Sequence, residues 1–498
     1  MRIYKSFEQA KNGTLIPVFT SGKTMESRYN PERDAETLCK SIEEGFNFYL
    51  VLGTGSGLFL KKLSERFPKA LIISLELYQD DIDFLRQAAS IKELEKNHQV
   101  IFSSLESLEK DLSQNYIPAK YGDLKIIEQR AWVNENKDFI NQINSILQKS
   151  IGIISADFSV QSHFGKIWTT NILNNALLAE KISNDSFNKL SLSSCFSKDV
   201  FQKTAVIVAA GPTLDKTIKV LNERNKYFII ATDTAASALT KNNIIPDVIV
   251  SIDGQNVSYN HFMKTPSTLY AFDFCSNFSA AKHIAENGNK LFFFCSGHPL
   301  ANAINISCGN AFPTLFSGAG TVTITATDLA VKAGFSKIQV LGADFSYSNG
   351  KAYAKGTYLD SLYNKNSSKT ESAEKTFSKL MFRTELKATG QTQTTPILDA
   401  YKISFEKYLE QNTISFIKQN DIYNLSVPDN KNELQTINSS KNISIKSFFN
   451  KLTSSSPEEA EILLLPYIAW LKNNKSYKNY PYSELLKLAF NTIVSYNI

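Results

Sequence analysis

The sequence predicts an α/β fold, with parallel-sheet domains at the amino terminus and centre and a helical carboxyl-terminal domain. Three observations carry this reading. Apolar, β-branched runs of strand length alternate with stretches of helical periodicity. The runs end in Gly- or Asp-bearing turns, as strands of a parallel sheet do at a ligand-binding carboxyl edge. Past about residue 365 helical patterns dominate.

In chain order, a polar segment to about Asn30 reads as short strands or loop, and Ala35 to Gly45 as a helix. The buried run FYLVL leads into Gly53-Thr54-Gly55-Ser56-Gly57, a helix to Arg66 and a second apolar strand ending at Glu76. A glycine-rich turn, a helix and an acid at the end of the next strand form a Rossmann-like nucleotide-binding pattern, close to that of S-adenosylmethionine-dependent methyltransferases. Gly53, Gly55 and Gly57 would shape the turn and Glu76 would accept ribose hydroxyls, making a possible second site. Further strands at Gln99–Phe102 and Leu124–Ile127 complete an amino-terminal domain over residues 1–135. Residues 136–198 form a helical connector, with Phe139, Ile143, Ile146 and Leu147 on one apolar stripe and Trp168, Ile172, Leu173, Ala176 and Leu177 on another. The Ser-rich stretch Ser191–Lys198 reads as a linker.

The central domain, residues 199–365, opens with TAVIVAAGPTLDKTI. Its first strand ends in Gly211-Pro212-Thr213. Glycine permits a tight turn and a close approach to a ligand; proline suits a first helical turn, whose N–H groups and dipole attract anions such as a nucleotide phosphate. The second strand ends at Asp233 and the third at Asp253. Strand patterns follow at Leu269–Phe274 and Leu291–Cys295. A second glycine-rich turn, Ser317-Gly318-Ala319-Gly320-Thr321, opens a helix to Ala333, Gly334 stops it, and the strand Ile338–Leu341 ends in Gly342-Ala343-Asp344. The loop beyond carries Tyr347, Asn349, Gly350, Tyr353, Gly356 and Tyr358. Its tyrosines can hydrogen-bond a phosphate or stack on a base. Residues 366–498 are read as a helical domain with helices at Glu371–Lys387, Ile397–Glu410, Pro457–Leu471 and Ser483–Val494, a candidate for acceptor binding.

Composition narrows the function classes. A 498-residue chain with 43% hydrophobic and 20% charged residues is that of a multidomain globular protein. Its net charge of +6 is spread along the chain, too diffuse for nucleic acid but compatible with an acidic, phosphorylated ligand. Cys39, Cys195, Cys275, Cys295 and Cys308 show no metal-ligand or disulfide spacing, which points to a reducing cytoplasm. No apolar run reaches the ~18 residues of a membrane span, so no membrane partner is expected.

The blocks VAAGPTLDKTI, PDVIVSIDGQ and SGAGTVTITATDLAVKAGFSKIQVLGADFSYSNGKAYAKG resemble the motility-associated factor family of flagellin glycosyltransferases. That family shares a domain with archaeal pterin pyrophosphokinases. The second half of this region is also similar to bacterial sialyltransferases that use cytidine-monophosphate (CMP) sugars. The resemblance implies a sialyltransferase-like central domain. It implies transfer of a nonulosonic acid, of pseudaminic or legionaminic type, from a CMP-activated donor onto Ser or Thr of flagellin, with motility as the outcome. It implies Tyr353, and with an insertion Tyr347, as contacts of the departing phosphate. The downstream catalytic histidine of the sialyltransferases has no counterpart, since none follows His298, so the general base is sought among Asp344 and Asp233. The donor would be held by Gly211, Pro212, Thr213, Asp233, Asp253, Ser317, Gly318, Gly320 and Thr321. No cofactor beyond the donor and no metal is required by the sequence. Two other classes stay open: a pyrophosphokinase with magnesium between Asp233 and Asp253, and a methyltransferase centred on Gly53–Gly57.

Overall fold

The structure is a computed structural model that describes residues 2–96, 98–184, 200, 202–264, 266–318, 320–348, 350–368, 371–382, 386–389, 392–428 and 444–496. The expected linker Ser191–Lys198, with Cys195, and residues Ala319 and Asn349 lie outside these. The chain divides into two compact units, one of residues 1–163 and 468–485, the other of residues 164–467 and 486–498.

In the first unit the hairpin β1 (Tyr4–Gln9) and β2 (Leu15–Phe19) accompanies a four-stranded sheet. That sheet comprises β3 (Phe48–Leu52), β4 (Leu71–Glu76), β5 (Val100–Ser104) and β6 (Leu124–Glu128), in the order β5-β4-β3-β6, and every pair is parallel. All five residues of β3 are buried, as a central strand covered on both faces requires. The helical connector expected over residues 136–198 is, over its described residues, one long helix, Lys137–Asn184, and Asn136 separates it from the preceding helix Arg130–Glu135. Ile143 and Leu147, from the first apolar stripe, are buried in this unit's core.

The second unit is built on an eight-stranded sheet in the order β11-β10-β9-β8-β7-β12-β16-β15. Six strands, β7 (Thr204–Val208), β8 (Tyr227–Thr232), β9 (Val248–Ser251), β10 (Leu269–Asp273), β11 (Lys290–Phe294) and β12 (Lys337–Leu341), pair in parallel. The short hairpin β13 (Lys387–Thr389) and β14 (Thr392–Thr394) stands apart. The helix Val322–Lys332, buried at nine consecutive positions, packs its Ile324, Ala326, Leu329 and Ala330 into the sheet's core.

The fold class is α/β with largely parallel sheets and helices toward the carboxyl terminus, as expected. One part of the expected helical region differs. Residues 415–419 (β15) and 422–426 (β16) form a hairpin whose inner strand pairs antiparallel with β12. Asn420 and Asp421, both with positive φ, make its two-residue turn. The expected helix Glu371–Lys387 is shorter, Ala373–Met381, and Lys387 already belongs to β13.

Candidate functional site at the carboxyl edge of the central sheet

The order of the strands singles out one place. From β7 the chain adds β8, β9, β10 and β11 on one side, then returns to lay β12 on the other. The loops after β7 and β12 therefore leave in opposite directions, and the crevice between them is where open α/β sheets bind ligands. A cavity of about 280 Å³ lies there. Its walls are Ala209–Gly211 after β7, Thr232 and Thr234 after β8, Gly320–Thr323 at the start of the helix Val322–Lys332, and Gly342–Tyr347 after β12. Ala352, Tyr353, Leu398 and Tyr401 complete the lining.

The two central strands are laced together at this edge. Ala209 donates its amide to the Leu341 carbonyl and Gly211 to that of Gly342, each at 2.9 Å. A side chain at Gly211 would meet the Asp344 carboxylate and, at 2.5 Å, the Gly342 carbonyl. Gly342 has φ +66°, and its missing Cβ would strike the Ala209 carbonyl. Both glycines are thus required by close backbone approach.

The Gly-Pro-Thr turn differs from the expectation of an anion site. The helix after it, Leu214–Thr217, is a single turn. The Thr213 amide donates to Asp344 Oδ2 at 2.8 Å, and its hydroxyl donates to Oδ1. The chain's own carboxylate takes the place expected for a phosphate. Burial raises the Asp344 pKa, and the two Thr213 bonds pull it back. Asp233 is also engaged. It is buried, accepts from the Thr234 amide (2.7 Å) and hydroxyl (3.1 Å) through Oδ1, and accepts from Ser251 through Oδ2 at 2.6 Å. Asp253 accepts from the Gln255 amide at 2.8 Å, and burial raises its pKa.

The second glycine turn does face the cavity. Gly320 and Thr321 donate to the Ser317 carbonyl, which turns the chain so that Thr321, Val322 and Thr323 stand at the wall. The first amides of this eleven-residue helix have no acceptor within it, and its dipole favours a negative ligand. Of the residues expected to hold the donor, Gly211, Gly320 and Thr321 line the cavity, whereas Pro212, Thr213, Asp233, Asp253, Ser317 and Gly318 are not among its lining residues.

Tyr347 and Tyr353 both reach the cavity. The loop between them is tied down at two points: Ala354 donates to the Ala210 carbonyl (2.8 Å), and Tyr347 exchanges backbone bonds with Gln393. Burial pushes the Tyr353 hydroxyl up to about 12, so it is a proton donor at neutral pH. Tyr401 was not singled out by sequence. Its helix, Pro396–Gln411, shows a plain amphipathic pattern in which one more tyrosine carries no signal. No helix among the described residues is long and apolar enough to cross a membrane, and none of their His, Cys, Asp and Glu side chains cluster in a metal-holding group.

Residues 171–350, which contain most of this site, match the family described as 6-hydroxymethylpterin diphosphokinase MptE-like. Two proteins of Treponema pallidum (strain Nichols), each described as uncharacterized, are also similar. One is 30% identical over 236 residues, 46% of this chain and 77% of the relative. The other is 32% identical over 164 residues, 32% of this chain and 73% of the relative. The chain belongs to one family with these treponemal proteins. Among solved structures, a MAf glycosyltransferase from Magnetospirillum magneticum AMB-1 is similar with a TM-score of 0.47 and 12% identity, over 98% of this chain and 90% of that one. The family-level resemblance read from the central motifs stands, since those motifs fall largely within the MptE-like match.

The first unit has a switch point of its own, between β3 and β6, and there the crevice is filled. A Cβ on Gly53 would lie 2.7 Å from both Met25 and Trp132. Glu76 is fully buried and accepts from the Thr54 amide (2.6 Å), Trp132 Nε1 (2.7 Å) and the Tyr4 hydroxyl (3.1 Å). Glu26 accepts the Ser56 amide at 2.5 Å, and its carboxylate occupies the space a side chain at Gly55 would take. The bonds that a nucleotide would make with Glu76 and the glycine turn are made within the chain.

This filled crevice carries a pH signature. Burial raises Glu26 and Glu76 each to about 7 from an ordinary 4.5. The folded chain keeps these protons where the unfolded chain has lost them. Their stabilisation is therefore full below about 4.5 and lost as pH rises through about 7, on the order of a few kcal/mol in all. Thermal unfolding of Glu26→Gln, compared with the parent at pH 5 and pH 8, should show the variant gaining relative stability at the higher pH. An unchanged difference between the two proteins across that range would refute the assignment.

Proposed function

We propose that the chain is a glycosyltransferase that moves a nonulosonic acid from a CMP-activated donor onto Ser or Thr of flagellin. One observation carries this: the switch-point cavity is walled by Thr, Ser and Tyr hydroxyls and a helix amino terminus, with one carboxylate and no Lys, Arg or His among its described lining residues. Neutral donors suit a phosphodiester with one negative charge that leaves as a nucleoside monophosphate. They suit a nucleoside triphosphate poorly, because its several charges call for cations.

In this reading the amides of Val322 and Thr323 hold the phosphate while Tyr353 and Tyr347 donate to the oxygen that gains charge as the glycosidic bond breaks. Gly211 and Gly342 let the two strand ends close behind it. A flagellin acceptor, the nonulosonic sugar and a cytoplasmic setting rest on the motif resemblance together with the MptE-like match. Residues 396–411 contribute Leu398 and Tyr401 to the wall, so the region past residue 365 takes part in the site itself.

The family description suggests a second reading, diphosphate transfer to a pterin. A magnesium bridge between Asp233 and Asp253 would have to displace Thr234 and Ser251 from Asp233. Isothermal titration of the full chain with CMP, ATP plus magnesium, and S-adenosylmethionine separates the readings. Binding of CMP alone is expected. Binding of ATP–magnesium without CMP would establish the diphosphokinase reading instead, and binding of S-adenosylmethionine would mean that the first unit's crevice opens.

A further inference from the structure

With Asp344 on the Thr213 amide, the Gly-Pro-Thr turn and the short helix Leu214–Thr217 have another use for their polar groups. Asp215 lies in the first turn of that helix, where an aspartate ordinarily serves its own helix's amides and dipole. Here both carboxylate oxygens face the tyrosine loop. Oδ1 accepts from the Lys355 amide at 2.7 Å, and Oδ2 stands 3.7 Å from Lys351 Nζ. Lys351 and Lys355 lie two positions either side of Tyr353, so one side chain grips the loop on both flanks of the cavity tyrosine. The neighbouring Ala354 amide meets the Ala210 carbonyl, from the same turn, at 2.8 Å. Thr213 holds Asp344, where the loop begins. Residues 210–215 thus hold the loop before and after Tyr353. Asp215 is exposed, so core packing does not account for its orientation.

We propose that Asp215 is a positioning residue, which sets the Tyr353 hydroxyl where the departing phosphate gathers charge. The proposal rests on the glycosyl-transfer reading above, with Tyr353 donating a hydrogen bond to that phosphate. Such a bond is effective only within about 2.7–3.1 Å of the oxygen it serves, so a small shift of the loop removes most of its effect. The bond from the Lys355 amide to the carboxylate is charge-assisted and is the stronger tie. The exposed ion pair with Lys351 adds little energy by itself, but it limits how far the residues before Tyr353 can swing. In this role Pro212, Thr213 and Asp215 act on the nucleotide sugar through the tyrosine loop and not by contact.

The test follows release of CMP from CMP-N-acetylneuraminic acid by the full chain, with CMP affinity and melting temperature measured alongside. Asp215→Ala should lower kcat about ten- to a hundredfold, with CMP affinity and melting temperature nearly unchanged. Asp215→Asn should restore most of that rate, because its amide oxygen still accepts from the Lys355 amide. In a Tyr353→Phe background, Asp215→Ala should cost less than about threefold further, since the hydroxyl it positions is gone. Hydrogen exchange over residues 351–356 should quicken in Asp215→Ala. Unchanged exchange there, equal rate losses in the two backgrounds, or an Asp215→Asn protein as slow as Asp215→Ala overturns the assignment. So does a kcat for Asp215→Ala within about threefold of the parent. A parent that neither binds CMP nor releases it from the probe overturns the glycosyl-transfer reading, and this assignment with it.

Discussion

Tyr353→Phe should lower turnover about a hundred- to a thousandfold while leaving CMP affinity nearly unchanged. The hydroxyl stays protonated to about 12 and stands at the wall of the switch-point cavity. A donor aimed at the leaving phosphate strengthens as charge accumulates there, and loss of one such donor typically costs about 2.7–4 kcal/mol in the transition state. The ring packs beside Ala352, Phe377 and Met381, and phenylalanine preserves that packing. A purely structural tyrosine would give a modest loss of stability with normal turnover. Steady-state rates of parent and variant on a CMP-nonulosonate, with melting temperatures measured in parallel, distinguish the two. A rate within about threefold of the parent would exclude the catalytic role.

Gly211→Val is expected to abolish nucleotide binding and also to destabilise the fold, by about 3 kcal/mol or more. From sequence, Gly211 is a turn residue next to a ligand, and its replacement should spare the fold. The structure argues otherwise: the new Cβ would lie 2.5 Å from the Gly342 carbonyl, which accepts the Gly211 amide. Neither atom belongs to a flexible side chain, so β7 and β12 must part. The same Cβ would drive Asp344 off Thr213. Chemical denaturation and CMP titration of Gly211→Ala and Gly211→Val should show both losses growing with side-chain size. A folded Gly211→Val protein with parental CMP affinity would place the nucleotide elsewhere.

Much of this molecule is legible locally. The run TAVIV predicts a strand because β-branched residues suit an extended backbone covered on both faces, and β7 is where it was expected. The helix opening after Thr321 and stopping at Gly334 follows from periodicity and a glycine terminator, and the structure agrees. The β15–β16 hairpin turns at Asn420-Asp421, a local signal that the reading of residues 366–498 as helical passes over.

The sequence by itself determined the parallel strands of both sheets, which turns are tight and which polar residues arrive at the carboxyl edge, because backbone sterics and hydrophobic periodicity act over a few residues. Only the tertiary structure decided what those turns hold. Thr213 meets a carboxylate 131 positions away, the Gly55 turn is filled by Glu26, and Glu76 is taken up by Trp132 and Tyr4. Of the three glycine turns, those at Gly211 and Gly320 line the cavity, and at the first of them Asp344 already holds the Thr213 amide. A glycine turn offers the same amides to any anion. Whether the chain supplies that anion itself depends on strand order and on packing between distant segments, which no local pattern encodes.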